Sequence, residues 1–549
     1  MKLLLSILLF HLFSFAGAQS PTWRWANSGR GAGHDYGTSI SSDSESNCYA
    51  TGYFQFPGLV FGNDSLPVTT PPNSDDFFLV KYDSSGNKLW ARTAGGQHRA
   101  HGSCINTDSV GNSYVTGWFL GTSMMFPNYI LTPTIIGHKE AFLAKYNSLG
   151  DIIWARSLGP LNFMTSEVYN SIDGNGYIYS TAAVDDTTMF IKKIDIHGNQ
   201  IWQRSIRTTG NMSHYNIPRI CADEKGNSYI TGCLIFTNMI FGTTTITNNS
   251  NSLLLYIAKY DSSGNILWAK TDGLSGAIYQ PSISSDANGN TYVAGVFRQS
   301  QVNFGNIILT NNDNLHSDFF IVKYDPSGNV VWARNGAGPD FDIANSIKTD
   351  KDGNSYLTGF YRGNATFGSI PISGDGSPDA FIAKYDSSGN AVWVRIATGI
   401  NVEAGEDISL APNGDLYITG QFSSPHMLFS NDVALTNCDT TLNPYEIYIA
   451  KLKTNFKPPA VSSDSKCKID IETKIFPNPF ITTLHINKNI TECKVFINFY
   501  NSIGQTIFKG RQIFDGHNEI RLSNISSGIY FYRFYSGNKV LLTGSVLKY

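Results

Sequence analysis

The chain has 549 residues, of which 15% are Asp, Glu, Lys or Arg, and its formal net charge at pH 7 is −3. This balance excludes the basic surface of a nucleic-acid-binding protein and leaves no acidic tail. The length exceeds that of an ordinary single domain, unless the domain is a large closed repeat array.

The N-terminus has the pattern of a secretory signal peptide. Lys2 precedes an apolar run at residues 3–15, and Ala16-Gly17-Ala18 follows as a small-x-small cleavage site. We predict cleavage after Ala18, which removes residues 1–18. The apolar run, about 13 residues, is too short to span a bilayer, and no later stretch is long enough. We therefore expect a mature protein that is soluble or surface-attached.

A repeated unit follows, which we assign to a domain at residues 19–454. Each unit has four stretches with strand character: one ending in Ser-Ile or its equivalent, an aromatic-Val-Thr-Gly stretch, a Phe-Leu-Ala-Lys-Tyr-Asp stretch and a tryptophan stretch. The tryptophans of the series are Trp25, Trp90, Trp154, Trp202, Trp268, Trp332 and Trp393. Because four-stranded units repeated radially make a β-propeller, we predict an all-β fold with seven blades.

The two ends of the array predict how the ring closes. The last unit has its third strand at residues 448–451 and no tryptophan strand after it, whereas the strand at residues 23–26 has no partner before it. We expect the N-terminal strand to complete the last blade, which removes two exposed edges. Most units also carry a small hairpin between their second and third strands. The third unit lacks it, which explains the short Trp154–Trp202 spacing.

Asp-x-x-Gly-Asn strings, such as residues 83–87 and 286–290, predict the hairpin turns. The Asp side chain accepts turn amides and the Gly takes the left-handed conformation. A calcium-binding loop of the EF-hand type needs a longer run of oxygen ligands and a terminal Glu, so we interpret these strings as turns. The tryptophan and the Lys of Lys-Tyr-Asp recur throughout the array, and we interpret both as scaffold.

These units resemble the bacterial SBBP-type β-propeller repeat, with its Asp-x-x-Gly-Asn-x-Tyr-Val-Thr-Gly core, over roughly residues 23–454. The resemblance implies the fold and says little about activity.

A linker at residues 455–466, with Pro458-Pro459, leads to a second domain at residues 467–549. Its ordered landmarks are Phe476-Pro477-Asn478-Pro479-Phe480, Leu484-His485-Ile486, Ser502-Ile503-Gly504-Gln505 and Ile529-Tyr530-Phe531-Tyr532. This segment resembles the type A C-terminal sorting domain of the type IX secretion system. The resemblance implies a small Ig-like β-sandwich that the outer-membrane translocon reads and that is usually cleaved off afterwards. It also implies a Bacteroidota-type host and release or anchoring at the cell surface.

Candidate site residues come from their position in the repeat. Four residues before each Ser-Ile pair the chain enters the innermost strand, at the rim of the central channel. In blades adjacent on the closed ring these residues are Asp342, Glu403 and Asp35, and Glu167 is their equivalent in the third unit, with His101 nearby. Such carboxylates could bind a cation, contact sugar hydroxyls or act as an acid/base pair. Alternatively, each caps its own loop or pairs with a nearby Arg.

The sequence contains neither Gly-x-Ser-x-Gly nor His-Glu-x-x-His, and it has no Cys-x-x-Cys zinc spacing. We assign no catalytic residue, cofactor or metal ligand. Of the seven cysteines, Cys467 and Cys493 share the C-terminal domain and could form a disulfide bridge. We expect the other five to be buried small apolar side chains.

The sequence therefore favours a secreted or cell-surface, non-catalytic binding or adhesion scaffold for a polysaccharide or a protein partner. One alternative is a secreted polysaccharide-acting enzyme, a hydrolase or lyase that uses the acidic cluster. The other is a purely structural surface or matrix protein. We expect the type IX secretion machinery as a partner through the C-terminal domain, no nucleic acid and no integral membrane segment.

Overall fold

A computed structural model describes most of the chain, in two compact units divided between residues 456 and 457. The described residues are 21–454, without 56, 69–73, 163–166, 211–217, 235–237, 251, 312–315 and 439–443, and then 474–476, 483–488, 495–500, 506–513, 516–522, 525–536 and 539–548. The predicted signal peptide, the linker, Cys467 and Cys493 lie outside them.

Every regular element in the described residues is a β-strand. In the first unit these are β1 (Thr22–Gly31), β2 (Tyr36–Ser42), β3 (Cys48–Gln55), β4 (Gly58–Phe61), β5 (Asp64–Pro67), β6 (Asp75–Tyr82), β7 (Lys88–Gly96), β8 (Ala100–Thr107), β9 (Ser113–Phe119), β10 (Met124–Phe126), β11 (Tyr129–Leu131), β12 (Glu140–Tyr146), β13 (Ile152–Pro160), β14 (Tyr169–Ile172), β15 (Ile178–Ala183), β16 (Thr188–Ile194), β17 (Gln200–Thr208), β18 (Arg219–Ala222), β19 (Ser228–Leu234), β20 (Asn238–Phe241), β21 (Thr244–Thr247), β22 (Leu254–Tyr260), β23 (Ile266–Asp272), β24 (Ile278–Ser285), β25 (Thr291–Phe297), β26 (Gln301–Phe304), β27 (Ile307–Thr310), β28 (Asp318–Tyr324), β29 (Val330–Ala337), β30 (Asp342–Thr349), β31 (Ser355–Arg362), β32 (Ala365–Phe367), β33 (Ile370–Ile372), β34 (Pro378–Tyr385), β35 (Ala391–Ala397), β36 (Glu403–Leu410), β37 (Leu416–Phe422), β38 (His426–Ser430), β39 (Val433–Thr436) and β40 (Glu446–Lys453).

Seven antiparallel four-stranded blades form a closed ring, as predicted. From the channel outward they are β2-β3-β6-β7, β8-β9-β12-β13, β14-β15-β16-β17, β18-β19-β22-β23, β24-β25-β28-β29, β30-β31-β34-β35 and β36-β37-β40-β1. The innermost strand of each blade contacts that of the next, and β36 returns to β2. The prediction of an all-β, seven-bladed propeller is confirmed.

The ring closes through its N-terminal strand. In the antiparallel pair of β1 and β40, Ala26 lies opposite Ala450 and Ser28 opposite Tyr448. Strand β1 is therefore the outer strand of the seventh blade, which confirms the prediction for residues 23–26.

The small hairpins join neighbouring blades. The hairpins that begin with β4, β10, β20 and β32 add to the outer strand of the preceding blade, β1, β7, β17 and β29 respectively. Two others reach the preceding blade through the single bridges Leu274–Asn303 and Thr398–Leu428. Because the third repeat has no hairpin, β13 of the second blade receives no such addition.

The repeated tryptophan and lysine tie each blade to the next. The indole N–H of Trp90 donates to the carbonyl of Ser148 in the next blade at 3.1 Å, and the ammonium of Lys81 donates to the same oxygen at 3.2 Å. Lys81 also lies 4.7 Å from the ring centre of Tyr49. Trp154, Trp202 and Trp332 repeat the tryptophan contact. These residues act as scaffold in the structure.

The Asp-x-x-Gly-Asn strings form hairpin turns. One carboxylate oxygen of Asp83 accepts the N–H groups of Ser85 and Asn87, and the other accepts the side-chain amide of Asn87. Gly86 has φ +91°, a conformation that costs glycine little. Both carboxylate oxygens of Asp83 therefore accept hydrogen bonds from within the turn.

The five cysteines of the first unit are unpaired. Cys48 and Cys233 are buried, and Cys104 and Cys221 are partly buried. Cys438 is exposed, so the prediction of burial is wrong there. It follows the β38–β39 hairpin, where its backbone N–H donates to the carboxylate of Glu446 at 2.6 Å.

The second unit contains two antiparallel sheets. Its strands are β41 (Lys474–Phe476), β42 (Thr483–Lys488), β43 (Val495–Tyr500), β44 (Thr506–Ile513), β45 (Gly516–Arg521), β46 (Gly528–Ser536) and β47 (Lys539–Lys548). One sheet has the order β41-β42-β45 and the other β44-β43-β46-β47. Across both units, the described part of the chain has no helix with the length and apolar character needed to cross a membrane.

Candidate functional site

A cavity of about 570 Å³ opens at the mouth of the central channel. Its wall comes from the innermost strands of the first, second, third, fourth and seventh blades, together with neighbouring second strands. A narrower space of about 40 Å³, lined by the innermost strands of all seven blades, shares Thr38, Ser103, Tyr169 and Arg219 with it. The larger space is therefore the wide end of the channel, and we call it the channel-mouth cavity.

Stacked rings follow one wall of this cavity. Tyr36 lies 4.9 Å from Tyr53, Tyr53 lies 3.6 Å from His101, and His101 lies 4.3 Å from Trp118, measured between ring centres. The Tyr53 and His101 rings are nearly parallel, at 9°. We call these four residues the aromatic column.

Strand register explains the column. Tyr36 faces Tyr53 across β2 and β3, and His101 faces Trp118 across β8 and β9. Such cross-strand ring pairs stabilise a sheet. The contact between the first and second blades then brings Tyr53 against His101, so the column crosses a blade boundary.

His101 is held by a carboxylate. Its Nε2 lies 2.8 Å from Oδ2 of Asp75. Burial lowers the pKa of His101 and outweighs the opposite effect of Asp75. The neutral ring donates from Nε2, because the carboxylate of Asp75 can only accept. Its Nδ1, which then carries the lone pair, makes no hydrogen bond within the described residues.

Two cations lie beside the column. The Nε of Arg99 lies 3.5 Å from Oδ2 of Asp75, and 58% of the Arg99 side chain is exposed. The ammonium of Lys139 lies 4.4 Å from the ring centre of Trp118. Burial lowers the pKa of Lys139, and repulsion from Arg99 lowers it further. A like-charged pair therefore lines this part of the wall.

The third, fourth and seventh blades contribute a mixed set of charges. The guanidinium of Arg219 lies 4.1 Å from the ring centre of Tyr169. A carboxylate oxygen of Glu406 accepts the side-chain amide of Gln421 at 2.9 Å. Burial raises the pKa of Glu406 to about 7, and the charge of Glu167 adds to the rise. Glu406 can therefore donate or accept hydrogen bonds near neutral pH.

The structure places the five predicted site residues in two environments. His101 and Glu167 line the channel-mouth cavity. Asp35, Asp342 and Glu403 are fully buried between blades and are not part of its wall.

The buried carboxyls face other groups. Asp35 accepts the N–H of Gln55 at 3.1 Å, and Glu403 accepts the N–H of Ser424 at 3.3 Å. Burial, followed by the charge of Asp318, raises the pKa of Asp342 to about 8. Asp35 and Glu403 therefore act as acceptors for backbone N–H groups, which corresponds to the alternative in which each carboxyl caps a loop. Side chains alternate along a strand, so Tyr36, one residue after Asp35, reaches the cavity.

Three of the cavity residues that the sequence analysis did not identify share a repeat position. Tyr53, Trp118 and Gln421 directly follow the Gly that ends the Thr-Gly stretch, and all three line the cavity. In other blades this position holds Cys233, Val296 or Phe360. Variation at one place in an otherwise regular repeat is the signal that could have located the site. Within the described residues, no group of three or more His, Cys, Asp or Glu is arranged to hold a metal ion.

Comparison with known proteins identifies the C-terminal unit. Residues 474–548 match the family model of the secretion system C-terminal sorting domain. The chain is also 24% identical over 466 residues to an uncharacterized WD repeat-containing protein, L264, of Acanthamoeba polyphaga mimivirus, covering 76% of this chain and 32% of that protein. It is 26% identical over 199 residues to the regulatory protein FlaEY of Caulobacter vibrioides, covering 35% of this chain and 21% of that protein. The chain thus spans a third or less of these relatives.

Similar solved structures include an ulvan lyase described as a new family of polysaccharide lyase, with TM-score 0.39 and 10% identity over 76% of this chain and 98% of that chain. The WD40 domain of Neurospora crassa Pan2 has TM-score 0.35 and 9% identity, over 78% of this chain and 91% of that chain. A protein of unknown function from Dyadobacter fermentans has TM-score 0.36 and 10% identity, over 80% and 98%.

The sorting domain determines the destination of the protein. Such a domain directs export by the type IX secretion system, followed by release or attachment at the outer surface. The chain is therefore an exported seven-bladed β-propeller protein that carries a secretion system C-terminal sorting domain at residues 474–548.

Proposed function

We propose that this protein is an exported, non-catalytic binding or adhesion scaffold that holds a polysaccharide at the channel-mouth cavity. The observation that carries the proposal is the aromatic column on the wall of a cavity of about 570 Å³. This volume lies in the usual range for ligand sites, roughly 300–1,000 Å³.

The polar groups of the cavity suit sugar hydroxyls. The hydroxyls of Tyr36 and Tyr53 make no hydrogen bond within the described residues, and neither is a buried unpaired atom. The carboxylate of Glu167 and the amide of Gln421 line the same space. Ring edges and hydroxyls together present apolar and hydrogen-bonding surface, as a sugar does.

The test is a glycan array probed with the full chain. Tyr53→Ala should lose the glycans that the wild type binds, because it removes one ring from the column and one hydroxyl. Phe360→Ala is the matched control, since Phe360 holds the same repeat position in a blade that does not line the cavity. Unchanged binding by Tyr53→Ala contradicts the proposal. Silence of the wild type across all glycans favours a protein partner or a purely structural role.

A second candidate is a secreted polysaccharide-acting hydrolase or lyase. The pairing of His101 with Asp75 favours it, because Nδ1 is the nitrogen left to accept a proton from a ligand. Incubation with polysaccharides should then release reducing ends or an ultraviolet-absorbing unsaturated product, and both should disappear in His101→Gln. Binding without either product supports the scaffold.

We also propose that the repeats are of the SBBP type, and that the two C-terminal sheets pack as an Ig-like β-sandwich recognised by the type IX secretion machinery. Removal of residues 474–548 should leave the propeller in the periplasm of a host with this system, as measured by cell fractionation. Tyr53→Ala, as the control, should reach the surface or the medium. Export of the truncated chain would contradict the assignment.

A further inference from the structure

We infer that the ligand of the channel-mouth cavity is an acidic glycan, whose carboxylate or sulfate group binds between Arg99 and Lys139. The inference rests on the proposed binding of a polysaccharide at this cavity and specifies the chemical class of the sugar.

Arg99 and Lys139 form the first part of the argument. Both line the cavity, and their mutual repulsion contributes to lowering the pKa of Lys139. Like charges that act on each other on a partly desolvated cavity wall favour an anion beside them. A bound anion removes that repulsion and gains charge-assisted hydrogen bonds.

The nearby carboxylate leaves much of Arg99 available. Asp75 lies 3.5 Å from the Nε of Arg99, and the same Oδ2 is already bonded to His101 at 2.8 Å. The two terminal nitrogens of Arg99 make no hydrogen bond within the described residues, and more than half of the side chain is exposed. A guanidinium edge of this kind fits carboxylate and sulfate oxygens in a two-point contact.

The rest of the cavity adds a third cation and restricts the position of the acid. The guanidinium of Arg219 contacts the face of Tyr169 and makes no hydrogen bond or ion pair within the described residues. Besides burial, the charge of Glu167 raises the pKa of Glu406 and the charge of Arg219 lowers it, so both groups act on Glu406. These two carboxyls offset the single charge of Arg219, whereas the wall near Arg99 and Lys139 has two cations beside the carboxylate of Asp75. The Arg99–Lys139 pair is therefore the place that an anionic group would occupy.

The aromatic column borders the part of the wall that carries Arg99 and Lys139. The ammonium of Lys139 lies 4.4 Å from the ring centre of Trp118, at one end of the column. At Tyr53, burial raises the pKa of the hydroxyl, and the charges of Glu406 and Glu167 add to the rise. A sugar ring in contact with the column would place an acid group near Arg99 and Lys139. This contact distinguishes an acidic sugar from a neutral one.

The test uses titration calorimetry of the full chain with three polymers: polygalacturonate, which carries carboxylates, dextran sulfate, and neutral dextran. We expect at least one polyanion to bind about tenfold or more tightly than dextran, the effect of one charge-assisted hydrogen bond. The tighter polyanion identifies carboxylate or sulfate as the group. Added salt should weaken this binding.

Variants locate the contact. Arg99→Gln and Lys139→Gln should each weaken the preferred polyanion about tenfold. Arg298→Gln is the matched control, because Arg298 is exposed at the end of a second strand outside the cavity wall. Dextran binding equal to polyanion binding, or polyanion affinity unchanged in both variants, overturns the inference while leaving glycan binding at the cavity in place. If Tyr53→Ala also leaves all glycan binding unchanged, the proposed function itself is contradicted.

Discussion

Asp342 makes the stability of the propeller depend on pH in an unusual direction. Its side chain is fully buried at the boundary between the fifth and sixth blades, where the backbone N–H of Asp342 donates to the carbonyl of Ser317 at 2.8 Å. Among the described residues, neither carboxyl oxygen has a partner with ordinary hydrogen-bond geometry, and the backbone N–H of Arg362 lowers the pKa of Asp342 only in part. Burial raises the pKa of Asp342 to about 8, and the charges of Asp318 and Asp340 add to the rise.

The magnitude follows from linkage. A group whose pKa is raised on folding stabilises the fold fully below its unfolded pKa, and this contribution is lost as the pH rises through the folded pKa. For Asp342 the window extends from about 3.8 to about 8. Each pKa unit corresponds to about 1.4 kcal/mol, so the loss reaches roughly 4 kcal/mol at pH 7. Asp342→Asn keeps the shape of the neutral acid and does not ionise.

Urea titration of the full chain at pH 4 and pH 7 measures this effect. Relative to the wild type, Asp342→Asn should gain about 2–4 kcal/mol in the free energy of unfolding between the two pH values. Glu403→Gln should show a smaller gain, because the pKa of Glu403 is raised to about 7, chiefly by burial. A difference between variant and wild type that is the same at both pH values would refute the reasoning.

Asp325, which lies in a hairpin turn, provides a control in which the pH dependence has the opposite sign. Burial alone would raise the pKa of Asp325 slightly, but hydrogen bonds from Asn329 and Ser327 lower it. Its contribution is therefore present above the unfolded pKa and is lost as the pH falls. Asp325→Asn should therefore lower the free energy of unfolding less at low pH than at neutral pH, the reverse of the trend for Asp342→Asn.

Two further predictions test the blade contacts and the ring closure. Gly150→Ala should destabilise the fold by about 2–4 kcal/mol in thermal or urea unfolding, since Gly150 has φ +84° and an added Cβ would lie 2.7 Å from the Trp90 ring. Gly242→Ala is the control: Gly242 has φ +60° but nothing within 4 Å of an added Cβ, so the free energy of unfolding should fall by only about 1 kcal/mol. The pair Ala26→Cys and Ala450→Cys, at positions opposite each other in β1 and β40, should form a disulfide under oxidising conditions and stabilise the ring by up to about 5 kcal/mol. Persistent free thiols at both positions would contradict the closure, and reduction should remove the stabilisation.

The sequence predicts the ring well because the repeat carries its own geometry. Trp90 and Lys81 occupy positions that hold Trp and Lys throughout the array, because both side chains donate to one backbone carbonyl of the next blade. The unpaired strands at the two ends of the array predict the closure for a similar reason, since an unpaired edge is unfavourable. Attachment of the small hairpins to the preceding blade, by contrast, depends on contacts between repeats that the sequence pattern does not contain.

The site is harder to predict because one residue of register changes what a side chain faces. Asp35 lies between blades, whereas Tyr36 lies on the cavity wall. The stack of Tyr53 on His101 joins residues of different repeats, and no local pattern indicates it. Asp35, Asp342 and Glu403, which the sequence analysis places at the rim of the channel, are buried. The charges on the cavity wall come instead from Glu167, one of the predicted residues, and from residues such as Arg99 and Lys139.

The most direct test of the account is a crystal structure of the full chain with the tightest-binding glycan from the array. The account predicts a sugar in the channel-mouth cavity, in contact with Tyr53, with its acid group within hydrogen-bond distance of Arg99. A sugar bound on the outer hairpins or on the C-terminal unit, with the channel-mouth cavity free of it, would contradict the account.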